Sequence, residues 1–152
     1  MRLQGKIFMI TPVEILLIED NPAETRLIME VFNENAHPVN ITGVKDGVEA
    51  VDYLYKKGEY KNCKTPSLII LDLSLPRKSG FEVLKEIKTD NKLKRIPVIV
   101  LTGSKEDKDI FESYGHYANA CMGKSINFDE FRKNIYAFRN YWLDNVILPK
   151  SD

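Results

Sequence analysis

Cysteine is nearly absent: the 152 residues contain two, Cys63 and Cys121, far apart and outside any CxxC spacing. That excludes a zinc ribbon or a disulfide framework and suits a reducing, cytoplasmic setting. Histidine is equally scarce, and His37 and His116 lack the spacing of metal ligands, so both read as loop or surface residues. An excess of either charge is missing too. Twenty-two Lys+Arg balance 22 Asp+Glu, so nothing draws the chain as a whole toward nucleic acid or a membrane. No apolar run approaches the roughly 20 residues of a membrane span. The opening MRLQGKIFMITP has two positive charges and a short apolar run, but no small-residue cleavage site follows. It does not read as a signal peptide, and Met9 offers an alternative start that would leave residues 1–8 a dispensable extension.

The length is that of one ordinary domain. Hydrophobic residues make up 43% and charged residues 29% of the chain, a soluble globular composition. Four apolar runs stand out: Ile15–Ile18, Leu68–Leu71, Val98–Leu101 and the weaker Val39–Val44. Continuous rather than alternating runs suit strands covered on both faces. Helical periodicity fills the gaps. Ala23, Leu27 and Val31, widened by Ile28 and Phe32, predict a first helix. Asp46 to Glu49 and Ser79 to Glu82 read as capping boxes, the first opening a helix with Val48, Val51, Leu54 and Tyr55 on one face, the second one that buries Phe81, Leu84 and Ile87. Ser104 to Asp107 opens a fourth, whose apolar face is limited to Ile110, Phe111 and Tyr114 and which should be the least firmly held. A fifth strand is expected around Tyr117 to Met122. Phe128, Phe131, Ile135, Phe138 and Trp142 then step along a final helix.

Strand and helix thus alternate five times, which predicts a three-layer α/β sandwich around a parallel sheet with right-handed crossovers. Ligands in such folds gather outside the carboxyl ends of the strands. There the sequence places Glu19 and Asp20 after strand one, Asp72 at the end of strand three, Thr102 at the end of strand four and Lys124 after strand five. Three carboxylates at one edge repel each other unless a hard divalent cation neutralises them, Mg²⁺ being the natural choice. A lysine and a hydroxyl opposite them can hold the oxygens of a phosphoryl group. Asp72, central in the sheet, is then best placed as the nucleophile. No Gly-rich loop follows strand one, so neither a dinucleotide fold nor a P-loop is supported.

These residues carry a resemblance. The acidic pair, the LDLSLPRKSG segment with Asp72, Pro76 and Gly80, the VLTGS segment with Thr102, and Lys124 occur in the order and spacing of receiver domains of two-component signalling, the CheY-like response regulators, from about Val13 to Trp142. The EDNPAE start, the Lys124-Ser125 pair and the FRNYWLDNVILP ending most resemble stand-alone regulators coupled to bacterial phytochromes. The resemblance implies a flavodoxin-like, doubly wound sheet of strand order 2-1-3-4-5. It divides the chain into an N-terminal extension (1–12), a receiver domain (13–143) and a C-terminal tail (144–152). It further implies that Asp72 accepts phosphoryl from the phosphohistidine of a sensor histidine kinase, and the narrower resemblance points to a phytochrome-like one. Mg²⁺ would be bound by Glu19, Asp20, Asp72 and the backbone carbonyl of Ser74. Lys124 would contact the acyl phosphate, and Thr102 would turn its hydroxyl onto the new phosphoryl oxygen. Two departures stand out. Cys121 occupies the position where the family often has the aromatic rotamer switch. Ser125 follows the lysine where a cis proline is usual, and a cis bond before any other residue costs about 2.5–4 kcal/mol, leaving that loop trans or strained.

The alternative is a small Mg²⁺-dependent phosphatase with an aspartyl nucleophile, which uses the same groups but places its nucleophile after the first strand. A flavin mononucleotide carrier would need a Ser/Thr-rich phosphate loop where Glu19 and Asp20 stand. With no room for an effector domain after the last helix, output should be contact with another protein, through the fourth helix, fifth strand and last helix. The apolar residues left over at the end, Tyr136, Tyr141, Leu143 and Val146–Leu148, suggest a homodimer built on the last helix and tail.

Overall fold

The runs of branched aliphatic residues become five strands: β1 (Val13–Ile18), β2 (Val39–Val44), β3 (Leu68–Asp72), β4 (Val98–Thr102) and β5 (Ala120–Gly123). The computed structural model describes residues 11–34, 37–103 and 106–150, together with a two-residue antiparallel pair, Arg2–Leu3 with Lys6–Ile7. The rest of the expected extension 1–12, and Ser104 as the opening of the fourth helix, lie outside the described residues. All five strands pair in parallel in the order β2-β1-β3-β4-β5. Alternate side chains feed two separate cores: Leu16, Ile18, Ile69, Leu71, Val98 and Val100 face one way, and Ile15, Leu17, Leu68, Ile70, Ile99 and Leu101 the other. Both faces are covered, which is why the runs are continuous rather than alternating.

The helices α1 (Pro22–Asn33), α2 (Gly47–Leu54), α3 (Gly80–Thr89), α4 (Asp107–Gly115) and α5 (Phe128–Asn140) fill the crossovers. α1 and α5 cover one face of the sheet, and α2 and α3 the other. Several placements differ from the periodicity reading. Ala23 is exposed. α2 buries Gly47, Ala50, Tyr53 and Leu54 instead of Val48 and Tyr55, since Gly47 packs against the Lys78 backbone and Tyr53 against Tyr60. In α4, Phe111 is 81% exposed and Ser113 is buried, its hydroxyl donating to the Asp109 carbonyl. A left-handed turn at Tyr117 (φ 68°) delays β5 to Ala120.

The end of the chain also differs from the expectation. Leu143 is buried, and Trp142 and Leu148 pack on the α1–α5 core, so most of the expected surplus apolar surface folds back over its own domain. Tyr141 and Ile147 stay exposed. No helix among the described residues is long and apolar enough to cross a membrane.

Candidate functional site

The register aligns the strand ends. Ile18 pairs with Val44 and Leu71, Asp72 with Leu101, and Thr102 with Gly123. The Glu19 N–H donates to the Val44 carbonyl at 3.0 Å, carrying the ladder one step past β1 and turning the side chain inward, where it is 2% exposed. Asp20 is exposed in the turn. Asn21 then caps α1, its Oδ1 accepting from the N–H groups of Ala23 (2.9 Å) and Glu24 (3.0 Å), with Pro22 in the first turn. Asp72 is buried at the end of β3, and its Oδ1 accepts from the Ser74 N–H at 3.2 Å. Buried Thr102 accepts from the Lys124 N–H through its carbonyl at 2.8 Å, which sets Lys124 beside the middle of the sheet.

Lys124 Nζ lies 2.8 Å from Glu24 Oε2, 3.0 Å from Glu19 Oε1 and 3.2 Å from Asp72 Oδ2. Nζ donates hydrogen bonds to Glu24 and Glu19 and forms an ion pair with Asp72. Burial works against the charge on Lys124, but Glu24, Asp72 and Glu19 together hold its affinity for the proton above the ordinary lysine range. Glu19 feels the opposite balance. Burial, then the Asp72 and Glu24 carboxyls, push it up to about 10, with Lys124 opposing. For Glu24, burial is outweighed by Glu19 and Lys124, and its carboxyl sits below the usual range.

Glu19 Oε2 is buried with no hydrogen-bond partner among the described residues. Glu19, Asp20 and Asp72 offer ligand atoms all within 4.8 Å of one another. An orphaned oxygen inside an all-carboxylate cluster fits a hard, oxygen-seeking divalent cation. Neither histidine belongs to this cluster.

Glu19, Asp20, Asp72, Thr102 and Lys124 therefore meet at one edge of the sheet, with exposed Ser74 just beyond. Cys121 lies further back, opposite Val100 in β5 and half-buried. Burial pushes its thiol up, against a hydrogen bond with Ser113. Its N–H donates to the hydroxyl of Tyr114, so α4 brings an aromatic ring over the strand that lacks one. The described residues contain no cis peptide bond, and the Lys124–Ser125 bond is trans. Two features escaped the sequence reading. Glu24 is one; its signal was a carboxylate in the first turn of the helix that follows the acidic pair. The other is Arg77, in a left-handed conformation (φ 65°), whose Nη2 reaches both Asp46 oxygens at 3.0 and 2.9 Å and ties the β3–α3 loop to the cap of α2.

Known proteins share this arrangement. Residues 15–136 match the response regulator receiver domain. Response regulator Rcp1 of Synechocystis sp. is 42% identical over 140 residues, spanning 92% of this chain and 95% of that protein. The crystal structure of the phosphorylated cyanobacterial phytochrome response regulator RcpA is 44% identical, superposes with a TM-score of 0.89, and covers 92% of this chain and 100% of its own. The Mn²⁺-bound form of Rcp1 superposes equally well at 0.89, with 42% identity over 91% of this chain and 100% of that one. The family match runs from within β1 into α5 and includes all five site positions, and the chain belongs to the response regulator receiver family, the phosphoacceptor proteins of two-component signalling.

Proposed function

We propose that Asp72 is the phosphoacceptor, taking phosphoryl from the phosphohistidine of a sensor histidine kinase. The observation that carries this reading is a buried carboxylate at the end of the central strand, 3.2 Å from a lysine and clustered with two further acids. One Asp72 oxygen forms the new P–O bond while the P–N bond breaks, its electron pair returning to the imidazole. Glu19, Asp20, Asp72 and the Ser74 backbone carbonyl would hold Mg²⁺. When bound, that ion neutralises the phosphoryl oxygens and the crowded carboxylates. Lys124 supplies a fixed positive charge to the transferring group, and the Thr102 hydroxyl meets the phosphoryl oxygen afterwards.

Asp72→Asn tests the assignment, because an amide is a poor nucleophile. Acetyl phosphate with Mg²⁺ should label the intact protein with a hydroxylamine-sensitive phosphate and leave the variant unlabelled. Undiminished labelling of the variant would remove Asp72 from the role.

A phytochrome-like kinase is supported by likeness to the phytochrome response regulator RcpA, and the scarcity of cysteine supports a cytoplasmic location. Exposed Phe111 and Tyr117 support output through the α4–β5–α5 face, with Thr102 and Cys121 as the switch positions and the Tyr114 hydroxyl on the Cys121 N–H. Homodimerisation through α5 and the tail keeps exposed Tyr141 and Ile147 as its support. Sedimentation with and without beryllofluoride tests it, and a monomer at high micromolar concentration in both states would rule it out.

A further inference from the structure

We infer that Glu24 is a positioning residue for phosphotransfer, holding Lys124 in line with Asp72. The inference rests on the assignment of Asp72 and Lys124 above. Of the three carboxylates on Lys124 Nζ, Glu24 makes the shortest contact, 2.8 Å against 3.0 Å for Glu19 and 3.2 Å for Asp72. It is also the one with no other task. Glu19 and Asp72 belong to the cluster that would share a cation, whereas Glu24 lies outside it.

The three partners are thus unequal during the reaction. A cation would draw Glu19 toward itself, and phosphorylation consumes an oxygen of Asp72. Glu24 alone is neither drawn to the cation nor modified. Its place is set rigidly: it is in the first turn of α1, its N–H tied to the Asn21 cap, and its side chain is only 18% exposed. A lysine stem has four rotatable bonds, and a fixed acceptor removes that freedom before the transferring group arrives. The hold depends on an acceptor oxygen at the end of residue 24, which glutamine also provides.

The test is a double-mutant cycle on labelling by acetyl phosphate with Mg²⁺, using Glu24→Ala, Lys124→Ala and the double variant, with Glu24→Gln as the conservative replacement. Glu24→Ala should slow labelling about five-fold, an effect on the scale of lost positioning rather than lost nucleophile. In the Lys124→Ala background the same change should do nothing, and Glu24→Gln should label within about two-fold of the unaltered protein. The Lys124 side-chain ammonium, observed by ¹⁵N NMR, should give a protected signal in the unaltered protein and in Glu24→Gln that is lost in Glu24→Ala. A rate and an ammonium signal unchanged in Glu24→Ala would overturn the inference. So would a slowing of equal size with and without Lys124. Failure of the underlying assignment looks different: Asp72→Asn would still label.

Discussion

The backbone of Gly80 packs so closely on Asp72 that a Cβ at residue 80 would stand 2.6 Å from the Asp72 carbonyl oxygen and 2.5 Å from the Leu73 Cα. The Gly80 N–H donates to the Leu73 carbonyl at 3.1 Å, so the first turn of α3 is pinned to the strand end that carries the acceptor. Gly80→Ala forces the two backbones apart. It should cost about 1–3 kcal/mol, the usual range for overpacking, and slow labelling of Asp72 as well. Urea unfolding and acetyl phosphate labelling would measure the two effects, and full stability in the variant would contradict this account of the glycine.

Arg139 joins the two helices on the opposite face. Its guanidinium is buried, Nη1 donates to the Val31 carbonyl at the end of α1 at 2.7 Å, and the plane lies 4.8 Å from the Tyr136 ring centroid. Arg139→Ala removes the shorter of two donors to that carbonyl, leaving it the Glu34 N–H at 3.3 Å, and should cost about 1.5–3 kcal/mol, the scale of a hydrogen bond to a charged group. Lysine should recover only part, since it lacks the planar fork that also reaches Asn140 Oδ1 at 2.8 and 3.1 Å. Denaturant midpoints of the two variants decide this.

The strands were legible because both faces of the sheet are covered, so β1, β3 and β4 needed apolar residues at every position but one each, Glu14, Asp72 and Thr102. The two caps that the sequence signalled, Asp46 and Ser79, are local hydrogen bonds within four residues. What escaped was set by distant neighbours. Gly47 turns a different face of α2 inward because Lys78, thirty-one residues away, lies against it. Leu143 looked surplus because the floor it covers, near Val13 and Ser67, is assembled from chain ends far apart in sequence. At the site, the five residues at strand ends could be placed by topology alone. Glu24 could not, because its role depends on how far a lysine one hundred residues later reaches.

Asp90 provides a pH test away from the site. Its Oδ1 accepts from the Leu93 and Lys92 N–H groups at 2.9 and 2.8 Å, and Tyr55 donates to Oδ2 at 3.1 Å. Those bonds, Leu93 first, hold the carboxyl below its ordinary 3.8. A lowered acid binds its proton later in the folded than in the unfolded chain, so its stabilisation is complete above 3.8 and fades as pH falls below it. Asp90→Ala should therefore be less stable at neutral pH, by about 1 kcal/mol for a lost turn cap. The gap should close in strong acid. A gap independent of pH would mean that the charge is not involved.

Glu19 titrates in the opposite sense. Burial and neighbouring carboxyls raise it from 4.5 to about 10 without a cation, so through that window the folded protein keeps a proton that the unfolded chain releases. Metal-free stability should then fall as pH rises between those values. A cation needs the ionised carboxylate and must expel the proton. Mg²⁺ should accordingly bind more tightly as pH rises toward 10, releasing about one proton per ion at neutral pH. Calorimetric titration at one pH in two buffers of different ionisation enthalpy counts that proton directly. Saturation at 100 times the dissociation constant should add about 2.7 kcal/mol to stability by mass action. Glu19→Gln carries no proton to lose, so its residual Mg²⁺ binding should be weak and show the same heat in both buffers. Identical heats for the unaltered protein would mean that Lys124, 3.0 Å away, keeps Glu19 ionised despite its burial.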